Sequence, residues 1–291
     1  MNNSMIDYVA IGQRLRAYRI AASLKAEDVA EKLKISRAAV YRLEKGELIK
    51  VEILDRLASL LETSLTSLLG VDTEYYSSGE GFFERMRQLE QQASHIYSHF
   101  DPFSFLLTSD DYLDHLANML AEANLPQDNN KIRATLVILK ERKQNYLQYF
   151  PDVINLIGLQ HIERFLDLGL VGKLNISTEQ RKQRCKLARQ EISHLINLFE
   201  EHEDQLQIGV SQASIPSLTF QIFYQKQQPL ALAMSPFRLG ELPNVTTGIA
   251  SITASKEAIK RHQHLFDHLW QNSAKGKQAI DLLKKTLMRY Q

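Results

Sequence analysis

The segment Lys25–Gly46, KAEDVAEKLKISRAAVYRLEKG, constrains this chain more than any other. Val29, Ala30, Leu33, Ile35, Val40 and Leu43 recur at spacings that suit two short helices packed on each other, Ala26 to Leu33 and Ser36 to Glu44, with Lys34-Ile35 as the turn. Ala30 has to be small, because the second helix crosses the first there. Ser36 is a natural N-cap, its hydroxyl accepting a backbone N–H from the first turn. Gly46 follows the last turn, where a left-handed residue stops a helix cheaply. Arg37, Ala38, Tyr41 and Arg42 are then left on the outer face of the second helix. A helix held by its back and armed on its front in this way suits the major groove of DNA.

Charge agrees with that reading only locally. The 291 residues are 44% hydrophobic and 24% charged with a net charge of +1, the make-up of a globular chain of about two domains. Residues 1–70 hold 11 Lys+Arg against 9 Asp+Glu, and Lys34, Arg37, Arg42, Lys45 and Lys50 gather around the second helix and the loop after it. Such a cluster is either a solvated basic face or a phosphate-contacting one; within this motif DNA contact is the expectation. No apolar run approaches the roughly 18 residues of a membrane helix. The N-terminus, MNNSMIDYVA, lacks the basic and apolar regions of a secretory signal, and the single cysteine, Cys185, fits a reducing cytosol. The expectation is a cytoplasmic protein with no membrane partner.

Residues 11–70 resemble the helix-turn-helix domain of the Cro/phage-repressor (XRE) family of bacterial regulators. The match is carried by IGQRLRAYRIAASL, AEDVAEKLKIS, SRAAVYRLEKG and the closing helices VEILDRLASLLETSLTSLL. The chain departs from the family at Ser23, where Gly is usual, and at Lys25-Ala26, where Ser-Gln usually opens the second helix. The resemblance implies an all-α, five-helix domain over residues 1–72 that binds a double-stranded DNA operator, an inverted repeat, as a homodimer. Carried over residue by residue, it implies DNA contacts by Ala26, Ser36, Arg37, Ala38, Tyr41, Arg42, Lys45, Gly46 and Lys50. Arg37, Ala38 and Arg42 would face base edges with Tyr41 beside them, while Lys45, Gly46 and Lys50 would hold phosphates. The family also pairs an Arg at the position of Arg19 with a Glu at that of Glu44. Glu44 is then either a base reader or the partner of Arg19, and repulsion between an acid and phosphate favours the bridge.

Beyond this domain, VDTEYYSSGEG breaks every periodicity and reads as a linker over 73–81. From Phe82 to Phe100, apolar residues at Phe82, Met86, Leu89, Ala93, Ile96 and Phe100 form a heptad-like seam, either a dimer helix or the cover of the next domain. Strands are expected at 102–107 and 132–139, and helices at 110–123, 152–168 and 178–203. LQIGVS, SLTFQIFY, PLALAM and GIASIT then read as successive strands, and helices close the chain over 255–270 and 274–290. Residues 82–291 are therefore expected to form an α/β or α+β domain that dimerises and senses a small-molecule effector.

The texture of this region, with a late strand run ending in FDHLW, resembles the phospholipase-D-like effector domains fused to some DNA-binding regulators. Catalytic members of that fold need a His-x-Lys pair, which occurs nowhere in the chain, so the resemblance implies a sensory relative without catalysis. No catalytic residue, metal site or cofactor is expected. The i, i+4 pairs His264/His268 and His95/His99 have a spacing that can bind zinc, but without a third ligand they read as exposed helix histidines. Cys185 lies among cations that could lower its pKa, against the plainer reading of a quiet thiol. Ser109, Asp110 and Arg238 are the candidate ligand-binding residues; Ser109 and Asp110 sit where a strand's carboxyl end would place a ligand, or simply cap a helix. The function expected is a DNA-binding transcriptional regulator. The alternatives are an enzyme with a DNA-targeting arm, and an antitoxin or phage-type repressor with a protein-binding tail.

Overall fold

The computed structural model describes residues 7–47, 50–70, 73–123 and 129–290. Five helices come first: α1 (Tyr8–Ala21), α2 (Ala26–Leu33), α3 (Arg37–Glu44), α4 (Val51–Leu60) and α5 (Leu65–Leu69). Val29, Leu33, Val40 and Leu43 are buried between them, together with Leu15, Leu57 and Leu68. Buried Arg14 ties the first helix to the last, its Nε donating to the Leu68 carbonyl at 2.8 Å. Burial pushes that guanidinium's pKa below its usual value.

The second region is α+β. Its elements are β1 (Glu74–Tyr76), α6 (Gly79–Gln92), β2 (His95–His99), a 3-10 turn (Phe105–Leu107), α7 (Tyr112–Glu122), α8 (Asn129–Tyr149), β3 (Asp152–Gly158), α9 (Leu159–Leu168) and α10 (Thr178–Glu201). Then follow β4 (Leu206–Ser211), β5 (Thr219–Gln225), β6 (Gln228–Ser235), β7 (Ala250–Thr253), α11 (Lys256–Gln271), β8 (Ala274–Lys275) and α12 (Gly276–Arg289). The strands form a single sheet in the order β1-β7-β6-β5-β2-β3-β4-β8. Pairing is parallel from β2 to β3 and β3 to β4, and antiparallel elsewhere. One small core, Leu156, Phe220, Ile222 and Leu232 with Ile259 and Phe266, lies under α11. The larger core runs without a break from Leu15 and Val29 of the helical domain through Tyr76 and Phe82 to Leu283.

That continuity corrects the expected linker at 73–81. Glu74–Tyr76 pairs with Ile252–Ala250 of β7, and Tyr76 is buried and stacked on Tyr18 of α1 at 4.8 Å. The two glycines that suggested flexibility serve close approach instead. A Cβ on Gly81 would collide with Ala21, and one on Gly79 would stand 2.5 Å from the Val245 carbonyl.

The heptad-like seam follows the second of its two readings, the cover of the next domain, though not as one helix. Only its first half is helical, since α6 ends at Gln92 and Ile96 lies on β2. Phe82, Met86 and Leu89 are buried inside the chain, with α6 packed between α1 and α8. It therefore covers a core within one chain and has no face left for a second copy.

Three strand or helix assignments change for physical reasons. The β-branched run at 132–139 lies in α8, where Thr135, Leu139, Arg142 and Tyr146 repeat at helical spacing and are buried. The segment expected as one helix over 152–168 is β3 followed by α9; DVINLIG is a strand buried on both faces, which hides the alternation a half-exposed strand would show. The candidate strand at 102–107 holds only the 3-10 turn.

Because Leu89 is buried, Leu89→Ala should lower unfolding free energy by about 2–5 kcal/mol in urea titration without changing the oligomeric state measured by light scattering. A change of oligomeric state with little loss of stability would return the seam to a dimer interface.

Candidate nucleic-acid interface

The interface is built from α2 and α3. The Asp28 carboxylate accepts the Lys25 backbone N–H at 2.6 Å and opens α2, with no side-chain cap from Lys25 itself. Lys34 takes the left-handed conformation that turns the chain, and Ser36 Oγ accepts the Ala39 N–H at 3.1 Å to start α3. Gly46, at φ +87°, ends that helix against the backbone of Val9. These local devices fix α3 with Val40 and Leu43 inward, leaving Arg37, Ala38, Tyr41 and Arg42 exposed together with Lys45 and Lys50.

In the free protein the two arginines are held by exposed acids. Arg37 Nε lies 2.9 Å from Glu27, its Nη2 donates to the Tyr41 hydroxyl at 3.1 Å, and its guanidinium lies over the Tyr41 ring. The Tyr41 hydroxyl, and then Glu27, push the Arg37 pKa further up. Arg42 Nε lies 3.6 Å from Glu47. Pairs this exposed are screened and worth little, so DNA can replace them at small cost. Both guanidiniums thus stand on the outer face of α3 in weak, exposed pairs.

Glu44 is not on that face. Its carboxylate accepts Arg19 Nε at 2.5 Å and Nη2 at 3.2 Å, while Arg19 Nη1 donates to the Leu24 carbonyl at 2.8 Å. Both side chains are largely buried, so the pair joins α1 to the end of α3 as the bridge reading expects.

Two of the expected contact residues need correction. Ala26 is 3% exposed and belongs to the core, so its side chain has no surface to offer DNA. The Gly46 N–H is already donated to the Leu43 carbonyl at 3.1 Å, so this glycine shapes the turn and does not supply a phosphate donor. Ser36 is exposed, but its oxygen is engaged in the cap.

The candidate ligand residues do not converge. Ser109 donates its N–H and hydroxyl to Glu191, at 2.9 and 2.5 Å, and its carbonyl accepts from Lys143, whose ammonium is pushed below its usual pKa by burial. Asp110 is almost wholly exposed, 3.6 Å from Lys143. Neither caps a helix: α7 begins after Asp111 with no side-chain cap. Arg238 belongs to a different group, 3.0 Å from Asp101 and 2.9 Å from Glu241, which also meets Arg164 at 3.0 Å. His161 lies 3.7 Å from Asp101 in this group, its imidazole pKa lowered by burial, and burial raises that of Glu241.

Sequence reasoning missed a cavity between these two sets. It is lined by Phe82, Phe83, Asp101, Phe105, Gln221 and Phe237 among others, and by none of Ser109, Asp110 and Arg238. Tyr112, whose hydroxyl donates to the Leu239 carbonyl at 2.6 Å, joins the two loops beside it. The signal was present as five phenylalanines within residues 100–105 and 82–83, but they read as strand and seam.

The remaining candidates stay apart. His95 and His99 lie on β2, where residues four apart do not meet, and His264 and His268 lie on α11. Among the described residues no group of three His, Cys, Asp or Glu is placed to hold a metal. Burial pushes the Cys185 thiol pKa up, outweighing Arg189 and Arg181, in keeping with the plainer reading of a quiet thiol. Among the described residues no helix is long and apolar enough to cross a membrane.

Residues 10–69 match the family model of a helix-turn-helix domain. No curated protein and no solved structure matches the chain. The match covers the five-helix region and supports it as a DNA-binding domain; no match supports the phospholipase-D-like resemblance of the second region.

Arg42→Ala should weaken binding to a preferred sequence by about 1–3 kcal/mol and relax preference at one base pair, whereas Lys50→Ala should weaken all sequences alike and reduce the salt dependence by about one counterion. Equal losses on preferred and random DNA in gel-shift titrations would remove the division into readers and clamps. Glu44→Gln should destabilise the full chain by about 3 kcal/mol in chemical denaturation, because Arg19 keeps its charge and loses its partner. Intact stability with lost DNA binding would place Glu44 among the readers.

Proposed function

We propose that this chain is a sequence-specific transcriptional regulator, of the XRE kind, whose second region senses a small molecule and changes how α3 is presented to DNA. The observation that carries this reading is the interlock of α1 with α6. Gly81 seats against Ala17 and Ala21, Arg16 lies 3.1 Å from Glu84, and Gln88 and Gln92 donate to Gln13 at 3.1 and 3.0 Å. A helix-turn-helix domain mounted this way cannot turn independently of α6. A ligand that prefers one position of α6 therefore shifts operator affinity by its differential affinity for the two positions.

In this reading the protein is cytoplasmic, uses no cofactor and binds an inverted repeat as a homodimer. One domain covers about half an operator, and two spaced about 34 Å apart make binding tight and select for symmetry. The twofold contact belongs to a surface other than Met86 and Leu89, which are spent inside the chain.

A second reading has one observation in its favour. Asp101, His161, Arg164, Arg238 and Glu241 cluster beyond the carboxyl ends of β2 and β3, where open sheets place active sites, and two of them have shifted pKa values. That would make the second region an enzyme carried by a DNA-targeting arm. Hydrolysis of a phosphodiester by the full chain, lost in His161→Ala, would favour it over sensing.

Selection from a random duplex library with the full chain should enrich a short motif in inverted symmetry, and Arg42→Ala should lose the enrichment. No enrichment, or enrichment indifferent to Arg42, would contradict the regulator reading.

A further inference from the structure

A cleft opens where the helical domain meets the second region. The helical domain lines it with Lys32 of α2 and with Leu61 and Glu62 after α4; the second region lines it with Tyr75 and Ser77 at β1 and Lys131 of α8. Its volume is about 350 Å³, within the range of small-molecule sites.

Charge in the cleft is unbalanced. Lys32 and Lys131 face it from opposite regions, and among the described residues neither makes an ion pair. Each ammonium offers three donors and no acceptor. Among the described residues Glu62 is the one acid lining the cleft, so two ammoniums meet one carboxylate and a positive charge is left over. An adjoining hollow shares Leu24 and Lys131 with the cleft and adds Lys25 and Glu80, so the surplus stands. Glu80 is buried and bonded by Ser78 and Ser23, and it attracts Lys131 only at a distance.

The rest of the wall accepts hydrogen bonds. Ala21 and Ala22 close α1, Leu60 and Leu61 close α4, and the last carbonyls of a helix have no amide of their own helix to meet. Ser78 Oγ serves one of them, the Ala21 carbonyl, at 3.3 Å. A ligand that suits both kinds of wall carries an anionic group for the lysines and hydroxyl groups for the carbonyls. An apolar molecule would leave both without partners.

We propose that this cleft is the effector site and that it takes a small hydroxylated anion, a carboxylate or a phosphate, held between Lys32 and Lys131. The consequence for DNA rests on the sensing reading. Lys32 belongs to α2, on which α3 packs, and Lys131 to α8, which packs on α6. A molecule tied to both lysines favours one placement of the helical domain on the second region, and with it one affinity for DNA.

The test uses the full chain with gluconate and ribose 5-phosphate as probes and sorbitol as the uncharged control. Calorimetry should show saturable one-to-one binding of at least one anion, with sorbitol weaker by about tenfold or more. Lys131→Ala should lose about tenfold in that affinity, Lys131→Arg should stay within about threefold, and Lys173→Ala, exposed and outside the cleft, should match the parent. If Lys131→Ala does not fold, Lys32→Ala, at an exposed position, carries the same expectation. No binding by either anion, sorbitol binding as well as they do, undiminished binding by the folded alanine variant, or an equal loss in Lys173→Ala would overturn the site. Anion binding that obeys the variants but leaves affinity for the selected DNA motif unchanged would uphold the site and overturn the sensing reading instead.

Discussion

The close packing of α1 on α6 is the contact on which the rest of this structure depends. It needs a glycine at residue 81, because a Cβ there would collide with Ala21, and it brings Tyr18 onto Tyr76. Around it lie buried charges that are paired. Glu84, 1% exposed, meets Arg16 and Arg87, and Arg85 meets Glu74, also buried. Removing one partner from a buried pair such as Arg85 and Glu74 leaves an uncompensated charge, so these pairs hold α6 to its neighbours. The helical domain and the sheet share one core as a result.

From that placement the division of labour follows. The inner side of α1 is committed to α6, and Arg19 fixes the end of α3 through Glu44. The exposed face of α3 is thus set by contacts on its opposite side, and its own Arg37 and Arg42 are held only by weak, exposed pairs. A helix held from behind with exchangeable side chains in front suits the proposed reading of base edges.

How much of this could be read from the sequence depended on whether a signal was local. Val29, Ala30, Leu33, Val40 and Leu43 lie within 15 residues, Ser36 and Gly46 punctuate them, and the domain they build was legible almost to the residue. Of the contact set, Ala26 was misplaced because a pattern inherited from relatives does not show that an alanine there turns inward. Farther on, IRATLVIL carried a strand-like composition, yet the helical register that continues to Arg142 and Tyr146 decided its structure; tertiary burial outweighs β-propensity. Gly79 and Gly81 looked like flexibility because the residues they let approach, Val245 and Ala21, are far away in the chain. The cavity was illegible for the same reason: Gln221 and Phe237 come from strands and loops more than 100 residues beyond Phe82.

The central claim is that the helix-turn-helix domain and the sheet behave as one mechanical unit joined at α1 and α6. Native-state hydrogen exchange of the full chain tests it most directly, by comparing the opening free energies of α1 and α6 amides as denaturant is raised. The account predicts that the two helices open in the same cooperative step. If α1 to α5 open together at distinctly lower free energy while α6 stays protected with the sheet, the domain is a loosely carried module and the coupling described here does not exist.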